Sequence, residues 1–375
     1  MKTSLFVIVV LFLGIGRCGA QETRSNDSIE AIAKRFIKTR DQDGNGTLSL
    51  EEFPGKNKRL FDRIDTDGDR EVSLKEDVAY RKSRMAGRQG DQGGGQQDAN
   101  VTIHRDLVYT AVGSRKLRLD LYVPKADSRA KKSLLPVIVR IHGGGWKSGS
   151  KGNGGRARGV ETRGYALVDV EYRLSGEAIF PAQIQDCKAA IRWVRANSAR
   201  YGLNPDRIGV IGSSAGGHLA AMLGTSDAKE FETQSNAGHS SRVQAVCDLW
   251  GPTDLLQMDD HRLPGSRLTH NAADSPESLL VGGPIQSEPY RSLAAKANPI
   301  TYIPGRSLPP FLIIHGEGDL LVPPHQSELL RDALVKNGTD VTLRLVRGGH
   351  GLRGGDLNQR ALVNLAVAFF DQHLK

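Results

Sequence analysis

The chain has 375 residues, of which 38% are hydrophobic and 25% charged, ordinary proportions for a globular protein that exclude wholesale disorder and a multi-span membrane protein. Its formal net charge is +9, but the lysines and arginines are scattered among acidic residues and form no stripe with interleaved aromatics, so nucleic-acid binding is excluded. The length suits one large domain with something smaller beside it.

The stretch MKTSLFVIVVLFLGIGRCGA, residues 1–20, has an early lysine, an apolar run from Leu5 to Ile15 and small residues at Gly19 and Ala20. This is the pattern of a secretory signal, and the run falls short of the roughly 20 apolar residues a spanning helix needs. A secreted protein, extracellular or periplasmic and without a membrane span, is expected. Its removal leaves Cys187 and Cys247. Export permits a disulfide between them; packing as small hydrophobes on a helix and a buried strand is the alternative.

Two acidic loops follow, each after a helical pattern. DQDGNGTLSLEE offers Asp41, Asp43, Asn45, Thr47, Ser49 and Glu52 at positions 1, 3, 5, 7, 9 and 12 of a twelve-residue calcium loop, with Gly46 at the sharp turn and Leu48 at the apolar eighth position. DTDGDREVSLKE offers Asp65, Asp67, Asp69, Glu71, Ser73 and Glu76, with Val72 at the eighth position and Arg70 in place of the turn glycine. The two loops resemble an EF-hand pair, residues 21–80. That resemblance implies calcium at both loops, held more weakly at the second, where Arg70 strains the turn and adds a positive charge. RQGDQGGGQQD has no apolar residue and no period, and places a flexible linker at 81–100.

From Val101 strands alternate with helices. Strands are expected at 103–111, 116–123, 136–142, 165–172, 207–212, 243–249, 310–315 and 341–347. Ile184, Cys187, Ile191 and Val194 recur at helical spacing, a second helix follows Ser214, and others cover about 325–337 and 357–374. The first two strands suit a hairpin and the rest a parallel sheet. An α/β fold results, with eight mostly parallel strands and helices on both faces over residues 101–375. The segment 255–308, rich in Pro, Gly and Ser, reads as a lid-like wall with short helices.

Within RIGVIGSSAGGHLAAML, G-S-S-A-G matches Gly-x-Ser-x-Gly with Ser214 at its centre, between a buried strand and a helix. Small neighbours are needed where a nucleophile sits on so tight a turn, and Ser213 lacks them. IHGGGW follows the strand VIVR, and its glycines leave backbone N–H groups bare. Gly144 and Gly145, with Ala215 at the helix start, can hold an oxyanion. A serine needs a base and the base needs a carboxylate. IIHGEGDLLVP puts Asp319 past one strand and LVRGGHG puts His350 past the next. Asp254 in WGPTDL is the rival carboxylate. His315, His325, His142 and His218 are expected to be structural.

HGGGW, EYRLSGEAIFPAQIQDCKAAIRWV, GPTDL, NPITYI, HGEGDLLVPPHQSELL and GGHG together resemble α/β-hydrolases of the hormone-sensitive-lipase-like group. Within that group they are most similar to bifunctional feruloyl and acetyl-xylan esterases. The resemblance implies a Ser214, Asp319, His350 triad, an oxyanion hole from the amides of Gly144, Gly145 and Ala215, and acyl transfer with no cofactor for catalysis. It also implies a small-molecule or polysaccharide ester as substrate. Caps in that group usually precede the first strand, where this chain has the acidic loops, so the cover of the acyl pocket stays open; Trp146 is the candidate for its wall. Two other readings are a secreted serine peptidase with the same triad and a catalytically silent, calcium-dependent adhesion module. The second has no need of the triad and the triple glycine together.

Overall fold

A computed structural model describes residues 30–31, 33–53, 58–81, 100–125, 133–152, 155–227 and 229–375. The expected signal and residues 82–99 of the expected linker lie outside the described residues. The chain divides into two compact units, Met1–Gly95 and Gln96–Lys375.

In the first unit two short strands, β1 (Leu48–Ser49) and β2 (Glu71–Val72), pair antiparallel. Leu48 stands opposite Val72, so the apolar eighth residues of the two loops meet as their positions require. They join Ile37, Phe53, Phe61 and Ile64 in a small core. Gly46 at the sixth loop position has φ 86°, which glycine adopts freely; Arg70 is held at φ 71°, where a side chain is strained.

Among its described residues the second unit contains eight strands: β3 (Val101–Val112), β4 (Arg115–Pro124), β5 (Leu135–Ile141), β6 (Ala166–Val170), β7 (Leu203–Ser213), β8 (Ala245–Leu249), β9 (Phe311–Gly316) and β10 (Val341–Val346). Their order across the sheet is β10-β9-β8-β7-β5-β6-β4-β3. β3 and β4 form the expected hairpin and β4 meets β6 antiparallel, whereas β6, β5, β7, β8, β9 and β10 run parallel. β7 begins earlier than expected, because Leu203 already pairs with Leu135 of β5.

Period-two alternation divides the core between the two faces. Val137, Val139 and Ile141 of β5 pack with helix Ala182–Ala196 on one face, while Ile138 packs with helix Gln359–Leu374 on the other. Gly209 lets the latter helix press onto β7, since a Cβ there would stand 2.6 Å from the Phe370 ring. Cys187 belongs to the first face and Cys247 to the second; both are buried and free, with the sheet between them. After β5 the chain leaves to β6 on one side and returns to β7 on the other. That switch opens a crevice beyond the carboxyl ends of the strands.

Candidate active site

Ser214 and His350 stand at that crevice, with Asp319 bonded to His350. Ser214 leaves β7 with φ 56° and ψ −125° and sits immediately before helix Ala215–Thr225. Its N–H donates to the Leu249 carbonyl at 2.9 Å, and its own carbonyl accepts from His218 N at 3.1 Å. The glycines around it are sterically required. A Cβ at Gly212 would stand 1.9 Å from the Gly216 carbonyl oxygen, and one at Gly216 would stand 2.2 Å from that of Ile141. The turn is therefore locked, and the strained serine is held by its surroundings.

The glycine loop after β5 lies against this turn, a Cβ at Gly143 falling 2.6 Å from the Ser213 carbonyl oxygen. Gly144 and Gly145 adopt φ 119° and 57°. Among the described residues no protein acceptor takes the N–H of Gly144, Gly145 or Ala215. Such bare amides, one of them opening a helix, are suited to an anion.

Asp319 is fully buried past β9, and His350 lies past β10. Nδ1 of His350 donates to Asp319 Oδ2 at 2.8 Å, while Asp319 Oδ1 accepts from the backbone N–H of Leu321 at 2.8 Å and of Val322 at 2.9 Å. Burial alone would raise the carboxyl pKa. The hydrogen bonds from His315, His350 and Val322 outweigh it and hold Asp319 below the usual carboxylate range. With Nδ1 committed to Asp319, the other ring nitrogen of His350 is left for a proton from elsewhere. Ser214 and His350 line one cavity of about 860 Å³ together with Gly143, Gly144, Gly145 and Trp146.

The remaining expectations sort by their contacts. Asp254 caps a short helix, accepting from Leu256 N at 3.0 Å, while Nδ1 of His350 is taken by Asp319. His142 bonds the Gly143 carbonyl at 2.8 Å and stacks on Tyr172, and His218 bonds the Ala297 carbonyl at 2.6 Å; burial pushes each down to about 4. His325 opens helix His325–Lys336 and reaches Glu328 at 2.9 Å. Trp146 is 1% exposed, packs edge-on against His218 and contributes to the cavity wall. Sequence reasoning missed that His315 touches Asp319, and that His270 and Glu277 of the 255–308 segment join the cavity. The proximity of His315 to Asp319 in HGEGD was the one available signal.

In the first unit one carboxylate oxygen from each of Asp41, Asp43 and Glu52 falls within 4.8 Å of the others, and the same holds for Asp65, Asp67 and Glu76. Oxygens bound to one calcium ion at about 2.3–2.6 Å can stand no more than about 5 Å apart, so these groups fit the ion. Asn45 and Thr47 are joined at 2.7 Å, and Asp69 accepts from Glu71 N at 2.8 Å. Asp69 and Glu71 lie outside the tight carboxylate group.

The family profile described as BD-FAE matches residues 119–334, a span that holds Ser214 and Asp319 and stops short of His350. Esterase LipC of Mycobacterium tuberculosis is 31% identical over 221 residues, 58% of this chain and 53% of its own. The chain spans about half the length of the curated relatives it matches. Among solved structures, a truncated carbohydrate esterase from gut microbiota has 30% identity and TM-score 0.61, covering 74% of this chain and 97% of its own. A bifunctional GH43-CE protein of Bacteroides eggerthii has 33% identity and the same TM-score of 0.61, covering 72% of this chain and 38% of its own.

Proposed function

The chain belongs to the BD-FAE family, and on that premise we propose that it is a secreted serine carboxylester hydrolase acting on short-acyl or feruloyl esters of polysaccharide. The observation that carries this reading is the Asp319–His350 hydrogen bond of 2.8 Å, in the cavity that also holds the strained Ser214. The esterase and carbohydrate esterase likenesses support it.

In this mechanism Nε2 of His350 takes the Ser214 proton as Oγ attacks the ester carbonyl. The oxyanion that forms is met by the amides of Gly144, Gly145 and Ala215. His350 then gives its proton to the departing alcohol, leaving an acyl-serine, and in the second half-cycle it deprotonates the water that releases the acid. Asp319 keeps Nδ1 protonated and stabilises the imidazolium. No cofactor enters these steps. Trp146 forms part of the wall beside the acyl group.

Calcium has a structural place in this reading. Asp41, Asp43, Asn45, Thr47 and Glu52 hold one ion, and Asp65, Asp67, Asp69, Glu71 and Glu76 a second. Bound calcium supplies positive charge that lets each set of carboxylates pack together.

The test is a panel of p-nitrophenyl and acetylated-sugar esters, with and without chelator, on the parent and on Ser214→Ala. Turnover lost in the variant and retained in chelator is expected. A parent that hydrolyses no member would defeat the proposal.

A further inference from the structure

The cavity that holds Ser214 continues past His350 into a second lobe of about 620 Å³. The two share His350, Arg267, Leu268, Leu321 and Arg353, while Ser214, Trp146 and the glycine loop line the first alone. That division has a chemical meaning. The acyl carbon and its oxyanion belong beside Ser214 and the bare amides, whereas the departing oxygen must reach the imidazole that protonates it. The lobe that touches His350 without touching Ser214 therefore lies where the alcohol half of an ester leaves.

Charge in the second lobe has one sign. Arg267 and Arg353 line it, and among the described residues no aspartate or glutamate does. Asp274 and Glu277 line the first lobe only, and Glu277 is bonded to His270 at 3.0 Å. Both arginines are exposed, and neither guanidinium has a hydrogen bond or ion pair with a described residue. Arg262, in the same stretch as Arg267, differs: its Nη1 donates to the Leu268 carbonyl at 3.0 Å and its Nε lies 3.5 Å from Asp259. Arg262 is thus spent on the fold, whereas Arg267 and Arg353 stay free to meet a ligand.

The backbone beneath each arginine is tied down. Ser266 Oγ donates to the Leu320 carbonyl at 2.7 Å, and the Arg353 carbonyl accepts from Gly349 N at 2.9 Å. Leu320 and Leu321, 47% and 40% exposed, give the same lobe an apolar surface. A cleft lined by one sign of charge concentrates the opposite sign, and guanidinium forks match the oxygens of a carboxylate or a similar oxyanion. We propose that Arg267 and Arg353 form an anion-binding subsite for the leaving alcohol, so that the preferred esters carry a carboxylate or sulfate group on that half. The inference rests on the esterase reading and deepens it by naming the charge of the alcohol.

The test uses three acetate esters of matched shape, 4-acetoxybenzoate, 4-acetoxybenzenesulfonate and the neutral 4-acetoxybenzamide, on the parent and on the Arg267→Gln, Arg353→Gln double variant, with thermal melting to check the fold. The quantity read is kcat/KM for each anionic ester divided by that for the neutral one, which cancels any general loss of activity. In the variant this ratio is expected to fall about fivefold or more, mostly through KM, because charges at the rim of a site act on encounter and binding. A fall confined to one anion supports the subsite and tells carboxylate from sulfate. An unchanged ratio for both, whether all rates fall together or none moves, overturns the inference. Should the variant fail to fold, the parent decides: its ratio is expected to drop as salt rises from about 20 mM to about 500 mM, where exposed charges are screened, and a flat ratio overturns the subsite. A parent that cleaves the neutral ester and neither anionic one overturns the subsite and leaves the esterase reading standing. A parent that cleaves none of the three defeats the esterase reading and the subsite with it.

Discussion

Nε2 of His315 lies 3.3 Å from Asp319 Oδ2, the oxygen that also accepts from His350 at 2.8 Å. Its hydrogens can be assigned from its other contacts. Nε2 faces the Val322 carbonyl at 2.9 Å and so carries the hydrogen, leaving Nδ1 to accept from Ser327 Oγ at 2.7 Å. A second imidazole therefore steadies the carboxylate that orients the first. His315→Phe keeps an aromatic ring and loses all three contacts, and kcat is expected to fall about 10- to 100-fold with KM little changed. Steady-state kinetics beside a melting curve checks this; an unaltered kcat in a folded variant would reduce His315 to packing.

Asp319→Asn preserves shape but removes the acceptor that keeps hydrogen on Nδ1 of His350. The loss in kcat is expected to reach about 10⁴-fold, the scale seen when a triad histidine is left in the wrong tautomer. A loss below tenfold would return Asp254 to contention.

Acid should destabilise the fold through two buried histidines. Burial lowers His218 and His142 from 6.5 to about 4 in the folded chain. The unfolded chain thus binds more protons between those values. The stability each histidine contributes is complete above pH 6.5 and declines as pH falls towards 4, by on the order of 3 kcal/mol for the fully buried His218. His218→Gln keeps a donor for the Ala297 carbonyl and cannot titrate, so its melting temperature should vary less than the parent's over that range. Parallel curves would refute the assignment.

Gly212→Ala should abolish activity and cost about 3 kcal/mol or more, since backbone blocks its Cβ at 1.9 Å and rigid cores resist such overpacking. Gly176→Ala, whose Cβ meets nothing within 4 Å, is the control expected to leave melting within about 0.5 kcal/mol. Denaturant titration of both separates a steric requirement from a general intolerance of alanine.

Arg70 at φ 71° occupies a loop position that favours glycine. Arg70→Gly removes strain of about 1–3 kcal/mol together with a positive charge, and calcium titration should show the weaker site tightening at least fivefold. Two equal sites in the parent would contradict the inequality expected of the loops.

The strand ends and their punctuation were legible because their causes are local. Ser214 needed small neighbours, Gly144 and Gly145 needed bare amides, and Asp319 and His350 each closed a strand; all but Asp319, which is bonded to His350, line one cavity. Leu48 and Val72 were readable for the same reason, as eighth residues of matching loops. His270 and Glu277 were not, because their pairing depends on how a weakly periodic segment folds back over the crevice. The possible disulfide was decided by the sheet, which keeps Cys187 and Cys247 on opposite faces, a fact that residue spacing does not encode.

The wall that carries His270 and Glu277 enters after β8 and leaves before β9 as one continuous stretch, while the proposed nucleophile, base and amides belong to other strand ends. Much of the cavity wall is therefore encoded in a block of the chain separate from the proposed chemistry. Exchanging residues 255–308 between relatives offers a way to graft one enzyme's substrate preference onto another's catalytic chassis.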